Sequence, residues 1–160
     1  MAGARELPTI LALVICDDGE ASPIDEAVTE ADPHRGLRVV VIDDEPDVVR
    51  LLDRVVHDEG GDVTATALDV RSAMTIDLRD HPDVAIVDYS LPGGNGVEVA
   101  EHIKRENADT VVVMFSAQPV GDALRANPAI DHFLPKTDLQ ALSRLLEAVA
   151  RERGLDTRPD

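Results

Sequence analysis

Five short apolar runs, each followed by a stretch with helical spacing, constrain this chain more than any other feature. Residues 37–42 (LRVVVI) are long enough for a buried strand. Pro46 suits the first turn of a helix. Val48, Leu51, Leu52, Val55 and Val56 then recur on one helical face until Gly60-Gly61 end it. The pattern repeats as a strand at 63–67, a helix at 70–79, a strand at 84–88 (VAIVD) and a Gly- and Asn-rich loop at 93–96. Val97, Ala100 and Ile103 open another helical face, followed by a strand at 110–116 (TVVVMFS), a short helix at 122–126 and a strand at 132–134. The last helix, 137–153, has Leu139, Leu142, Leu146 and Val149 on one side, and the Thr137/Gln140 spacing predicts a capping box. Five such units call for a parallel sheet covered on both faces. In such sheets ligands gather beyond the carboxyl ends of the strands.

Charge and cysteine content narrow the chemistry. Across 160 residues, 32 acids face 15 Lys and Arg, for a net charge of −17. That balance argues against a nucleic-acid-binding module and against docking on anionic lipid. A lone cysteine, Cys16, leaves no internal disulfide and no multi-cysteine metal centre. No apolar run approaches the length of a membrane span, so the expected location is cytoplasmic. Residues 1–36 read differently from the rest, with eight acids against two bases and no sustained period after residue 17. They are expected to form a mostly disordered acidic extension. Within them the apolar run at 7–16 lacks the small residues of a secretory cleavage site and reads as a stray strand or an unstructured leader. The folded body is then 37–153, with a short tail at 154–160.

The strand ends carry the functional signal. The first ends in Asp43-Asp44-Glu45, the third in Asp88, the fourth in Ser116 and the fifth in Lys136. Each has an ordinary explanation alone: the acids around Pro46 suit a helix N-terminus, and Asp88 suits a turn. Lys136 is more informative, being one of two lysines in the chain. Carboxylates converging at one sheet end repel, and need a cation or protonation. Hard oxygens with room for water suit Mg²⁺. A divalent ion, the Lys136 ammonium and the Ser116 hydroxyl could together meet the oxygens of a phosphoryl group. Asp88, on the central strand, is then the natural covalent acceptor.

Residues 37–153 closely resemble the receiver domain of two-component response regulators. The resemblance rests on VVVIDDEPD (39–47), VAIVDYSLPGGNG (84–96), FSA (115–117) and FLPK (133–136), with intervals of 45, 28 and 20 residues between Asp43, Asp88, Ser116 and Lys136. It implies a flavodoxin-like α/β fold, a five-stranded parallel sheet of order 2-1-3-4-5 with helices on both faces. It implies that Asp43 and Asp44 hold Mg²⁺, Asp44 more directly, together with Asp88 and the backbone carbonyl of Ser90. Asp88 would be phosphorylated, Ser116 and Lys136 would contact the phosphoryl group, and Phe133 would be the switch aromatic. The phosphoryl donor would be a sensor histidine kinase or a histidine phosphotransfer protein, and the only catalysis would be self-phosphorylation and self-dephosphorylation. A stand-alone regulator acting by protein binding or relay is the leading expectation. The alternative is a receiver-fold adaptor that is not phosphorylated and binds a partner constitutively.

The chain departs from the family pattern at three places. Thr137 follows Lys136 where the family commonly has proline, and Pro135 precedes it. Gly121 and Pro128 bracket a fourth helix of one or two turns, on the face the family uses for output and dimerisation. Residues 1–36 have no counterpart. Other phosphate chemistries fit less well. Asp43-Asp44-Glu45 would repel a flavin phosphate, Glu45 stands where a dehalogenase-type phosphatase needs its second Asp, and neither a P-loop nor a G-x-S-x-G occurs.

Overall fold

The computed structural model describes residues 35–155. The apolar run at 7–16, most of the acidic extension and residues 156–160 of the tail lie outside the described residues. The strands are β1 (Arg38–Ile42), β2 (Asp62–Ala67), β3 (Val84–Val87), β4 (Val111–Ser116) and β5 (His132–Pro135). The helices are α1 (Pro46–Asp58), α2 (Val70–Met74), α3 (Gly96–Glu106), α4 (Asp122–Arg125) and α5 (Leu139–Glu152). All strand pairs in the main sheet are parallel, in the order β2-β1-β3-β4-β5. This is the flavodoxin-like arrangement expected from the motifs.

Strand alternation divides the core into two layers. Val40, Ile42, Ala85, Val87, Val112 and Met114 face one side, where they meet Val70 and Ala73 of α2 and Val99, Ala100 and Ile103 of α3. Val39, Val41, Val84, Ile86, Val113 and Phe115 face the other, against Leu52 and Val56 of α1 and Leu142, Leu146 and Val149 of α5. Every residue of β3 is buried. The two covered faces explain why its sequence is continuously apolar rather than alternating.

Three local expectations change. The second helix stops at Met74 rather than 79. Thr75 caps it, its hydroxyl donating to the Ser72 carbonyl, and Asp77 and Arg79 close a local ion pair beyond it. The last helix is capped by Asp138, whose carboxylate accepts from the Ala141 N–H at 2.9 Å, not by Thr137. A turn bond from the Asp138 N–H to the Pro135 carbonyl puts residue 138 at the cap. The stretch at 93–96 is not simply a loop. Ser90–Leu91 pairs antiparallel with Gly94–Asn95. Pro92-Gly93 makes the turn between them, with Gly93 at φ 87°, as a type II turn requires. Asn95 then caps α3 in a reciprocal box with Glu98.

Candidate functional site

The central strands deliver their first post-strand residues to one point. Asp43 follows β1, and its N–H still bonds the Ala67 carbonyl of β2 at 3.0 Å. Asp88 follows β3, its N–H bonding the Ile42 carbonyl at 2.8 Å. Sheet pairing therefore continues one residue past both strands and fixes both backbones. Asp43 is 2% exposed and Asp88 6%, while Asp44 faces solvent. One carboxylate oxygen from each of Asp43, Asp44 and Asp88 lies within 4.8 Å of the others. Two like charges about 5 Å apart repel by roughly 3 kcal/mol at an effective dielectric near 20.

Lys136 enters from the far side of the sheet. Its backbone N–H bonds the Ser116 carbonyl at 2.9 Å, continuing the β4–β5 pairing. Its ammonium lies 2.7 Å from Asp43 Oδ2 and 3.0 Å from Asp88 Oδ2. Glu45 Oε1 is 3.6 Å away, a contact at the site's edge. Burial pulls the Lys136 ammonium down, but the hydrogen bonds it donates to Asp43 and Asp88 outweigh this and raise its pKa. Burial pushes the Asp88 carboxyl up, and repulsion from Asp43 adds to this. The Lys136 hydrogen bond only partly offsets the two, so the pKa stays raised.

The remaining predicted residues sit around this centre. Ser90 donates its N–H to Asp88 Oδ1 at 3.3 Å. Ser116, 7% exposed, uses its hydroxyl oxygen to accept from the Gln118 N–H at 3.1 Å rather than bonding Asp88 or Lys136. Phe133 stands apart from the acids. It lines a cavity of about 310 Å³ with Ser116, Gln118, Val120 and Arg125.

In the sequence Gly96 reads only as the end of the 84–96 motif and its loop, with no role at the site. A Cβ there would lie 2.2 Å from the Asp88 carbonyl oxygen and 3.0 Å from Val87 Cγ1. Its N–H bonds the Tyr89 carbonyl at 2.7 Å. The start of α3 therefore packs directly on the backbone that carries Asp88. The readable signal was the Asn95-x-x-Glu98 box, which puts Gly96 at the first helical position.

The donor set suits a hard divalent cation. Three carboxylates share the site with one ammonium and two of them are buried, so the positive charge present falls short of the acids. Asp43, Asp44 and Asp88 thus form an acidic triad like the Mg²⁺ site of receivers.

Comparisons with known proteins agree with this geometry. The profile of the response regulator receiver domain matches residues 39–149. The chain is 33% identical over 127 residues to the transcriptional regulatory protein TcrA of Mycobacterium tuberculosis, covering 78% of this chain and 49% of that protein. It spans about half the length of that relative. Among solved structures, a LuxR-family two-component response regulator from Aurantimonas is 26% identical, with a TM-score of 0.63 over 76% of this chain and 90% of its own. The response regulator TrrA of Thermotoga maritima, solved in complex with Mg²⁺ and beryllofluoride, is 25% identical. Its TM-score is 0.63, over 71% of this chain and 98% of its own.

Proposed function

The chain belongs to the response regulator receiver family, and from that premise we propose that it takes a phosphoryl group onto Asp88 from a phosphohistidine donor and signals by phosphorylation-dependent protein binding or by relay. Receiver domains partner with histidine kinases, and they are signalling modules rather than conventional enzymes. The observation that carries the reading is Asp88 itself: a buried carboxylate with a raised pKa, beside two further acids and bonded to one ammonium. In this reading residues 37–153 are the receiver body, flanked by an acidic extension and a short tail.

Asp43, Asp44, Asp88 and the Ser90 carbonyl would hold the cation. Bound there, Mg²⁺ would supply positive charge to the phosphoryl oxygens and relieve the repulsion among the acids. An Asp88 carboxylate oxygen attacks phosphorus, forming the O–P bond of an acyl phosphate. The P–N bond to the donor imidazole breaks, and the imidazole nitrogen keeps the electron pair and later takes a proton. Lys136 moves from the Asp88 carboxylate to a phosphoryl oxygen, a charge-assisted contact. Ser116 Oγ already accepts from Gln118, so its proton is available to the phosphoryl group. Drawing Ser116 toward Asp88 opens space beside Phe133, whose ring then turns inward.

Intact-mass measurement after incubation with acetyl phosphate and Mg²⁺ tests this. Wild type gains one phosphoryl mass, chelation of Mg²⁺ abolishes the gain, and Asp88→Asn gains none. Ser116→Ala still accepts phosphate but transmits little change to residues 116–136, read as backbone NMR shifts with beryllofluoride. Equal labelling of wild type and Asp88→Asn removes the acceptor assignment. Tight partner binding that ignores phosphorylation favours the constitutive adaptor.

A further inference from the structure

The helix α4 is the least anchored in the fold. It is four residues long, its cap Gly121 offers no side-chain bond, and none of its residues is buried. Arg125 ends it, with the guanidinium carbon 5.6 Å from the centroid of the Phe133 ring. Among the described residues no carboxylate pairs with Arg125, so the ring is its one specific partner. Both side chains line the cavity of about 310 Å³ that reaches Ser116. An apolar cavity of about 150 Å³ can already accept a benzene ring, so Phe133 has room to move in. Inward movement would withdraw its face from Arg125.

Resting on the switch reading above, we propose that Arg125 is a positioning residue for Phe133. It holds the half-buried ring in its present place in the unphosphorylated state and so sets the resting bias of the switch. A cation–π contact at an exposed site shifts a two-state equilibrium about two- to fivefold. Because the phosphorylated state favours the inward ring, removing the contact must tighten binding of a phosphoryl mimic by up to that factor.

The chain's two phenylalanines make the test direct. Labelling with 4-fluorophenylalanine yields two ¹⁹F resonances, and Phe115, 1% exposed, is the internal reference. In wild type, Mg²⁺ with beryllofluoride shifts the Phe133 resonance and leaves Phe115 in place. In Arg125→Gln the Phe133 resonance lies part-way along the same path without beryllofluoride, and beryllofluoride binds about two- to fivefold more tightly. Arg125→Lys keeps a cation over the ring and restores most of the wild-type position. If wild type responds but Arg125→Gln changes neither the resonance nor the affinity, the role of Arg125 is overturned and the switch reading stands. If Phe133 ignores beryllofluoride that is bound at Asp88 in wild type, both fall together.

Discussion

The four-residue strand β3 carries a buried aspartate at each end, Asp83 before it and Asp88 after it, and their surroundings are opposite in charge. Asp83 is 1% exposed and is met by two guanidiniums, Arg35 at 2.8 and 3.1 Å and Arg153 at 3.0 Å, and by the Arg38 N–H at 2.9 Å. Asp88 shares one ammonium with Asp43 and has Asp44 within reach. Burial pushes both carboxyls up. At Asp83 the Arg35 hydrogen bond, the Arg38 N–H and the Arg153 contact outweigh burial and hold the pKa below the usual carboxylate range. At Asp88 they do not, and it rises. The amino end of the sheet is a neutralised clasp. The carboxyl end is short of positive charge, and what completes it arrives from outside.

Breaking the clasp is expected to have the largest effect. Asp83→Ala takes the buried carboxylate away from Arg35 and Arg153 and removes the acceptor for the Arg38 N–H, which costs about 3 kcal/mol. Urea unfolding measures this. Phosphorylation of the folded variant by acetyl phosphate is unchanged, because the acids at the other end keep their places. A loss below about 1 kcal/mol would mean that the clasp adds little stability.

Filling the opposite end comes next. Mg²⁺ at a hundredfold excess over its Kd stabilises a single-site protein by about 2.7 kcal/mol. Wild type gains this in thermal melts, and Asp44→Asn gains much less and is not phosphorylated. A variant that still responds fully to Mg²⁺ excludes Asp44 as a ligand.

Asp88→Asn sharpens the contrast through its sign. Without Mg²⁺ it stabilises the fold by about 1 kcal/mol, since a neutral amide ends the repulsion with Asp43. Removal of the buried acid before β3 destabilises, and removal of the one after it stabilises. Unfolding midpoints of the two variants moving in the same direction would erase the comparison.

Acid titration provides the smallest effect. The folded pKa of Asp83 lies below its unfolded value, so its contribution is complete above pH 4 or so and is lost as pH falls through the folded value. Wild type therefore loses stability below about pH 4 more steeply than Asp83→Asn, and the two curves converge in strong acid. Parallel curves would show that Asp83 is not the group titrating.

The strand order followed only from the family resemblance, but a parallel sheet with two covered faces and the acids at the strand ends were legible in the residues themselves. They are written in short-range periodicity and in what immediately follows each apolar run. The shortened second helix and the ladder at 90–95 were less so. In the first, a cap at Thr75 overrides a spacing that would otherwise continue. In the second, Pro92-Gly93 announced a turn, but pairing across it depends on Gly96 packing under Asp88.

The sequence by itself determined that a parallel sheet would form and that Asp43, Asp44, Asp88, Ser116 and Lys136 would stand at its carboxyl end. Each of those placements depends only on residues a few positions away. Tertiary structure alone decided which acids lose water and which cations reach them. Lys136 touches Asp43 and Asp88 because β5 lies beyond β4 at the right register. Arg35 and Arg153 meet at Asp83 from positions 48 and 70 residues away, a convergence that no local spacing encodes. Burial and charge are sums over neighbours in space, so the contrast between the two ends of β3 exists only once the chain has folded.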